Sequence, residues 1–365
     1  MAELDDYTFY RGRVAEAAIL RALGVTRGDD VAVQAFTCSA VSEGVLSIGA
    51  RPVYVDVGPG SYTMDPEDLA GKLTPRTRAI VVQHTFGIPA DLPRIGVVAT
   101  RHGLPIVEDC AHAIGSSIDG ITVGTFGVAA FYSFEASKPI FAGIGGSVRV
   151  NDSALATRMR DLYRGYSQPS VIKQAQVLAM YLAARLAYRP STYWRLRGLY
   201  RQAIRLGLLP SAYHDVEFEA SPVEDFRLAL GRVQRWLVRR GIAALPGRTL
   251  HRRGVAAAYR ERIVGSGVRH PVLLPGADPV YGRYPVLTPR KAELLRRAPE
   301  YRVELLDWYA TPVHPLVGPA LEAAGYRPGS CPNAEAMSPE VVSLPTGPLV
   351  DEAQIDRADR LFREQ

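Results

Sequence analysis

Residues 30–55 read DVAVQAFTCSAVSEGVLSIGARPVYV, and the spacing of the apolar residues changes twice along this stretch. Residues 31–33 form a short apolar run that predicts a strand, residues 39–48 have helical spacing, and residues 52–55 again predict a strand. Short strands that are apolar on both faces are typical of a parallel sheet with helices on both sides. The stretch therefore predicts a strand–helix–strand unit of an α/β fold.

The same alternation continues on both sides of this unit. It predicts helices at 15–23 and 66–73, and strands at 79–83, 105–107, 129–132 and 147–150. We therefore expect a large α/β domain built on a mostly parallel sheet. In such sheets ligands bind where the strands end. The candidate positions are Thr37-Cys38, His84-Thr85-Phe86, Glu108-Asp109-Cys110 and Ser133-Phe134.

The sequence pattern and composition change after about residue 168. Residues 168–214 are helical in pattern and dense in Arg and Tyr, and Pro190 divides them. A long helix is predicted at 226–259, and it is followed by strands at 283–286, 303–307 and 341–344 and a helix at 352–363. The sequence thus predicts a large domain over residues 1–240, with a helical insertion at about 168–214, and a smaller C-terminal α+β domain over 241–365.

Composition excludes several classes of protein. The chain has 365 residues and a net charge of +6 without a dense Lys/Arg run, which argues against a nucleic-acid partner. Three cysteines with no CxxC pair argue against a disulfide framework and a cysteine-based metal site, and they favour a reducing, cytoplasmic setting. The acidic N-terminus lacks the features of a signal peptide, and no apolar run has a spanning length of roughly 18 residues.

Two side chains near the predicted strand ends suggest chemistry. Lys138 follows a strand in Ser133-Phe134-Glu135-Ala136-Ser137-Lys138, where partial burial would favour the amine that forms a Schiff base with an aldehyde. Asp109 follows another strand and could pair with a pyridinium nitrogen. Each has a simpler interpretation, because a loop lysine is more often solvated and an aspartate there could cap the next helix.

Longer motifs resemble a known family. The matching segments are GVTRGDDVAV, GARPVYVDV, HGLPIVEDCAHAIGS and GTFGVAAFYSFEASKPIFAGIGGSVRVND. They resemble the DegT/StrS-type nucleotide-sugar aminotransferases, which are pyridoxal-phosphate enzymes of fold type I. The resemblance is dense over about residues 12–164 and looser over 223–365. It implies a fold type I large domain with a mostly parallel seven-stranded sheet, and pyridoxal 5'-phosphate as the cofactor.

The resemblance also implies roles for single residues. Lys138 would form the Schiff base and transfer the proton, and Asp109 would pair with the ring nitrogen. His112 would contact the cofactor near its ring oxygen, and Ser133 would bind the phosphate. His112 could instead lie on a helix surface and Ser133 could simply end a strand. Lysine, where a related dehydratase branch has histidine, favours transamination.

Three departures concern the cofactor contacts. Gly12-Arg13 aligns with the family's phosphate-binding Gly-Thr or Gly-Ser, and Arg13 could still bind phosphate. Cys38, next to Thr37, replaces an aromatic that stacks on the ring, so that contact is either lost or supplied elsewhere, with Phe36 and Phe86 as candidates. Ala220-Ser221-Pro222 replaces an Asn-Tyr-Arg that reaches the partner subunit's phosphate.

The resemblance therefore implies a homodimeric aminotransferase that moves an amino group, with glutamate as the expected donor, to a keto group of a nucleotide-activated sugar. Two alternatives remain open: an aminocyclitol or other small ketone as acceptor, and a non-catalytic protein with a decayed cofactor site. Arg283 and His314 are candidates for the pocket lining. The insertion at 168–214 could pack on the dimer surface, replace a wall of the site, or contact a membrane surface through its Arg and aromatic residues.

Overall fold

The computed structural model describes residues 7–136, 138–187, 194, 199, 202, 206, 224–265 and 267–364. In chain order the strands are β1 (Tyr7–Phe9), β2 (Asp30–Gln34), β3 (Thr37–Cys38), β4 (Arg51–Val55), β5 (Thr77–Gln83), β6 (Ile106–Asp109), β7 (Ser117–Ile118), β8 (Ile121–Thr122), β9 (Ala129–Ser133), β10 (Gly146–Val150), β11 (Ala277–Asp278), β12 (Arg283–Leu287), β13 (Val313–His314) and β14 (Val341–Pro345).

The helices alternate with these strands in the first half of the chain and dominate much of the second. In chain order they are α1 (Gly12–Ala22), α2 (Ser39–Leu46), α3 (Pro66–Lys72), α4 (Leu92–Arg101), α5 (Ser153–Tyr163), α6 (Val171–Ala187), α7 (Arg232–Ala243), α8 (Leu245–Arg262), α9 (Lys291–Arg297), α10 (Gly318–Ala323), α11 (Pro332–Met337) and α12 (Glu352–Arg363).

The central sheet has seven strands in the order β1-β10-β9-β6-β5-β2-β4. Every neighbouring pair from β9 to β4 is parallel, whereas β10 and β1 are added antiparallel at one edge. The predicted α/β fold with a mostly parallel seven-stranded sheet is confirmed. The parallel order brings the carboxyl ends of β5, β6 and β9 to the same edge of the sheet.

The apolar runs of the central strands are explained by burial on both faces. Val31 and Val33 of β2 belong to the larger apolar core, whereas Ala32 between them belongs to a second core on the opposite face. In β5, Val81 and Ile80 divide between the two cores in the same way. Because successive side chains of a strand point to opposite faces, a strand covered on both sides has no polar alternation.

Several predicted elements differ from the structure. The helix predicted over 226–259 is two helices, α7 and α8, which meet at Ala244, and Pro246 lies in the first turn of α8. The strand predicted at 303–307 is absent from the described residues, where that segment contributes a single bridge between Leu306 and Ser343. Helix α4 and helix α5 were not predicted, although Asp91 and Asp152 cap them.

The C-terminal half packs against the large sheet through a shared core. The antiparallel pair β12–β14 is covered by α8, α9 and α12, and its residues Val286 and Leu344 belong to the same apolar cluster as Val33 and Phe131 of the large sheet. The predicted division of the chain at residues 240 and 241 falls inside α7 and stays a prediction.

Helix α6 contains the part of the predicted insertion that lies within continuously described sequence. Its residues Val177 and Met180 pack with Tyr10 and Ile144 near the central sheet, so this helix is a packed element. Pro190 and most of the residues after it lie outside the described residues. Among the helices that the structure describes, none is long and apolar enough to cross a membrane.

Candidate active site

A cavity opens where the ends of β6 and β9 meet the start of α1. Its empty space is about 720 Å³, including the part that is open to solvent. The lining comprises Gly12, Arg13, Glu16, Cys38, Ala40, Val41, Gln83, Asp109, Ala111, His112, Phe131, Ser133, Glu135, Ala136, Lys138 and Tyr309. Seven of the eight predicted site residues therefore line one cavity, although they come from positions 12–138 of the chain.

Asp109 is the last residue of β6 and faces this cavity from the floor. Its Oδ1 accepts a hydrogen bond from the backbone N–H of Ala111 at 2.9 Å, so the carboxylate is held in place by the turn that follows the strand. Burial raises the pKa of Asp109 above its ordinary value, and the Ala111 N–H and the Lys138 charge oppose that shift. A cationic partner inside the cavity would therefore stabilise the ionised carboxylate.

Lys138 and His112 contact each other at the side of the cavity. Lys138 Nζ lies 2.8 Å from His112 Nε2, and His112 Nδ1 accepts the backbone N–H of Phe86 at 3.3 Å. Burial, and secondarily the charge of Lys138, lowers the pKa of His112 well below its ordinary value, so the ring is neutral. Since Nδ1 accepts a hydrogen bond, the hydrogen of the neutral ring lies on Nε2, the nitrogen that faces Lys138 Nζ.

Helix α1 begins against the end of β9. A Cβ atom at Gly12 would lie 2.9 Å from Ser133 Cβ, so glycine allows the first turn of the helix to reach the strand end. The first N–H groups of a helix have no partner within the helix and carry a partial positive charge, which suits an anion. Arg13 is buried in the same turn and forms an ion pair with Glu43 of α2.

An aromatic wall stands beside Cys38. Tyr309 lines the cavity and stacks on His112 and Phe86, with centroid distances of 6.4 and 5.8 Å. Phe36 and Phe86 pack against Tyr309 and are absent from the cavity lining, so Tyr309 is a further candidate for the stacking contact and the expectation for Phe36 or Phe86 stays a prediction. Burial raises the pKa of Tyr309 well above its ordinary value.

Other predicted residues lie elsewhere. Thr37 donates a hydrogen bond to Gln83 beneath the cavity and orients that amide, but Thr37 itself is not among the lining residues. Arg283 is buried against Ser343 and the carbonyl of Glu304, and His314 accepts the N–H of Ala310. Neither belongs to the lining of this cavity, and their role in a substrate pocket stays a prediction. Ala220-Ser221-Pro222 lies outside the described residues.

Glu16 and Tyr309 are two of the lining residues that the sequence-based interpretation missed. Glu16 lies one helical turn beyond Gly12 within an alanine-rich segment, where its position resembles an ordinary helix surface. Tyr309 comes from a loop in the C-terminal half that reaches the cavity because β13 pairs with β3, which places Val313 beside Thr37. Only the pairing of distant strands brings Tyr309 to the site, and no local motif indicates it.

His84, Glu108 and Cys110 form a second buried group of potential ligands, whose ligand atoms lie within 4.8 Å of one another. Both nitrogens of His84 are engaged, because Nδ1 accepts the N–H of Ala90 and Nε2 contacts Glu108. Glu108 also accepts backbone N–H groups from the turn at residues 124–127. These contacts lower the pKa of Glu108 although burial opposes that shift. The three side chains therefore connect loops below the cavity.

Comparison with known proteins gives a consistent match. The profile of the DegT/DnrJ/EryC1/StrS aminotransferase family matches residues 8–179 and 227–360. A dTDP-3-amino-3,4,6-trideoxy-alpha-D-glucose transaminase from Micromonospora megalomicea subsp. nigra is 31% identical over 359 residues, which cover 97% of this chain and 83% of that protein. An L-glutamine:scyllo-inosose aminotransferase from Streptomyces griseus is 42% identical over 151 residues, 41% of this chain and 36% of that protein.

A solved structure is similar over nearly the whole chain. DesV from S. venezuelae, determined in complex with a ketimine intermediate, has 29% sequence identity to this chain and a TM-score of 0.75. The similarity covers 98% of this chain and 83% of that structure.

Proposed function

The chain belongs to the DegT/DnrJ/EryC1/StrS aminotransferase family, and on that premise we propose that it transfers an amino group from glutamate to a keto group of a nucleotide-activated sugar. The observation that carries this proposal is the convergence of the Lys138 amine, the Asp109 carboxylate and the start of α1 on one cavity. The relative named as a dTDP-sugar transaminase supports the nucleotide-linked acceptor.

The residues present fit pyridoxal 5'-phosphate. The buried carboxylate of Asp109 suits a pyridinium N–H, and the Lys138 amine suits an aldehyde. The free N–H groups at the start of α1, with Ser133 beside them, suit a phosphate. When bound, this cofactor supplies an electron-poor ring that withdraws electrons from the carbon carrying the amino group.

Each residue of the chain then has a definite task. Lys138 would take the proton from the carbon that carries the donor's amino group and deliver it to the carbon on the other side of the nitrogen, and His112 positions the Lys138 amine through the 2.8 Å contact. Asp109 holds a negative charge where the ring nitrogen would carry a positive one. Tyr309 would supply the aromatic side chain that stacks on the cofactor ring, because Cys38 has no aromatic ring. Gly12, Arg13 and Ser133 bind the phosphate, and Thr37 holds Gln83 at the floor of the cavity.

The active unit that we propose is a homodimer, as the family resemblance implies. The residues aligned with the contact to the partner's phosphate, 220–222, retain one hydroxyl and lack the arginine. Arg13 would compensate from within the same chain. The mass in solution should be twice 39.8 kDa, and a mass of 39.8 kDa would contradict the dimer.

A second acceptor class is favoured by a specific similarity. The scyllo-inosose aminotransferase is 42% identical in its matching segment, and its printed name describes a cyclitol ketone as acceptor and glutamine as donor. A small cyclitol ketone with glutamine is therefore the alternative substrate pair. The remaining alternative, a decayed non-catalytic site, is opposed by the presence of Lys138, Asp109 and His112 in one cavity.

A substrate comparison tests the proposed function. The full chain loaded with pyridoxal phosphate is incubated with glutamate or glutamine and with either a dTDP-linked keto-sugar or free scyllo-inosose, and the aminated product is measured by mass spectrometry. We expect product from the nucleotide keto-sugar with glutamate. Product only from the cyclitol ketone would support the alternative, and no product from either acceptor would contradict both proposals.

A further inference from the structure

Glu16 is a buried acid that has no role in the proposed transfer of the amino group. It lies on α1, has no solvent exposure and lines the cavity together with Gly12 and Asp109. Within the described part of the chain, neither of its carboxylate oxygens has a hydrogen-bond partner. A buried carboxylate without partners is costly in its ionised form, so this group either holds a proton or meets a ligand.

The position of Glu16 is built into the packing of two helices. Where α1 crosses α2, the carboxylate of Glu16 occupies the space beside Gly44, and a Cβ atom at Gly44 would collide with Glu16 Oε2. A Cβ atom there would also lie 3.3 Å from the carbonyl oxygen of Arg13. Gly44 therefore provides a notch for the carboxyl group, which fixes Glu16 next to the first turn of α1.

The charges around Glu16 come from each element that packs against it. They are Arg13 on its own helix, Glu43 on α2 and Asp109 on β6, and the uncharged phenol of Tyr54 on β4, whose pKa burial raises, is a further titratable neighbour. Burial first, and then the charges of Asp109 and Glu43, raise the pKa of Glu16 well above its ordinary value, while Arg13 opposes them. Arg13 also forms an ion pair with Glu43, and the pKa of Glu16 stays well above its ordinary value although Arg13 opposes the shift.

A phosphate at the start of α1 would bring two more negative charges to this end of the cavity. An ionised Glu16 would oppose that charge in a buried setting, where charges are weakly screened. A protonated Glu16 removes the repulsion and offers an O–H donor to an acceptor in the cavity. The same cavity therefore accepts a phosphate well only while Glu16 retains its proton.

We propose that Glu16 lies at the end of this site that binds the phosphate, and that Glu16 stays protonated when the chain binds a phosphorylated cofactor. The proposal rests on the proposed function, since pyridoxal 5'-phosphate is the phosphorylated ligand. It assigns a binding role to Glu16 and makes cofactor affinity depend on pH. Glu16 is here a binding residue and takes no part in the transfer of the amino group.

The test compares the pH dependence of cofactor affinity among three full-length proteins: wild type, Glu16→Gln and Glu67→Gln. Glutamine keeps the size and a donor but cannot ionise, and Glu67 is an exposed glutamate that is absent from the cavity lining, so its substitution controls for the loss of one charge. The dissociation constant for pyridoxal 5'-phosphate is measured by tryptophan fluorescence between pH 6 and 9.5, where changes of the cofactor's own ionisation affect all three proteins equally.

We expect wild type and Glu16→Gln to have similar affinity at the acidic end of this range. As Glu16 ionises with rising pH, the affinity of wild type should fall relative to Glu16→Gln by up to about tenfold per pH unit. Glu67→Gln should follow wild type throughout. The same titration with pyridoxal, which lacks the phosphate, should give wild type and Glu16→Gln the same pH dependence.

Two results would overturn the proposal. One is a constant ratio of the wild-type and Glu16→Gln dissociation constants across the pH range. The other is a divergence with pyridoxal as large as that with pyridoxal phosphate, which would assign the effect to the ring. Failure of the proposed function itself has a different signature, because pyridoxal phosphate would then form no Schiff-base absorbance band in any of the three proteins.

Discussion

At the scale of single residues, the site contains two buried acids, Asp109 and Glu16, to which we assign opposite protonation states. Asp109 has a backbone N–H partner and a cationic lysine nearby, so its negative charge is available to a ring nitrogen. Glu16 has neither, and its surroundings favour the protonated form. Both carboxyl groups are buried in one cavity, so their different preferred protonation states come from their hydrogen-bond partners and not from their exposure to solvent.

Replacing Asp109 with asparagine tests the role of its charge. Asparagine retains an oxygen for the Ala111 N–H but has no negative charge to keep a pyridine nitrogen protonated. We expect the rate of the glutamate half-reaction to fall by about a hundredfold or more, a range typical for the loss of one preorganised electrostatic contact. Stopped-flow absorbance measures this rate. A wild-type rate in Asp109→Asn would contradict the assigned role, and surface variant Asp161→Asn serves as the control.

Glu16 also makes a prediction about stability in the ligand-free protein. Its folded-state pKa is raised above the ordinary value of 4.5, so the folded chain retains a proton that the unfolded chain has lost between those two values. The free energy of unfolding therefore falls as pH rises through this window, by up to about 1.4 kcal/mol per pH unit. Asp109 contributes a shift of the same sign.

In Glu16→Gln the contribution of Glu16 is gone and that of Asp109 remains. Urea unfolding at a series of pH values should give a shallower decline for Glu16→Gln than for wild type. Equal declines in the two proteins would mean that Glu16 has the same proton affinity in the folded and unfolded chains.

At the scale of elements, the contact between α1 and α2 depends on the absence of a side chain at Gly44. We expect Gly44→Ala to reduce the free energy of unfolding by about 1–3 kcal/mol, because the added methyl group collides with Glu16. In a Glu16→Ala background the same substitution should cost less, since the colliding carboxylate is gone. Chemical denaturation of the four proteins of this double-mutant cycle measures the coupling, and strict additivity would contradict the notch.

The elements show which parts of the structure a single sequence records. The strands β2, β5 and β9 were predictable because burial on both faces leaves continuous apolar runs, and Asp109 and Lys138 because short segments carry them. The split between α7 and α8 was missed, because the apolar pattern continues across it. A strand at 303–307 was predicted wrongly, because its apolar residues pack in the core as irregular chain and make one bridge.

Residues that reach the cavity through tertiary packing were beyond prediction. Glu16 depends on the crossing of α1 and α2, and Tyr309 depends on the pairing of β13 with β3. The position of Tyr309 also explains how a chain with Cys38 retains an aromatic wall. Because Tyr309 comes from a distant loop, the sequence around Cys38 gives no indication of it.

At the scale of the whole molecule, the cavity requires both halves of the chain. The sheet supplies its floor, α1 supplies the end that we propose binds the phosphate, and the loop with Tyr309 closes one side. One apolar cluster extends from Val33 in the sheet to Leu344 in the C-terminal half. The site is therefore a product of the complete fold, so the central claim is best tested on the full chain.

That claim is that Lys138 forms the bond to pyridoxal phosphate and enables it to accept the amino group of glutamate. The measurement is the absorbance spectrum of the full chain with pyridoxal phosphate, before and after glutamate, for wild type, Lys138→Ala and the control Lys173→Ala, whose lysine lies outside the cavity and pairs with Asp225. We predict a visible band in wild type and Lys173→Ala that glutamate bleaches, and no such band in Lys138→Ala. A band that persists in Lys138→Ala, or no band in wild type, would contradict the account.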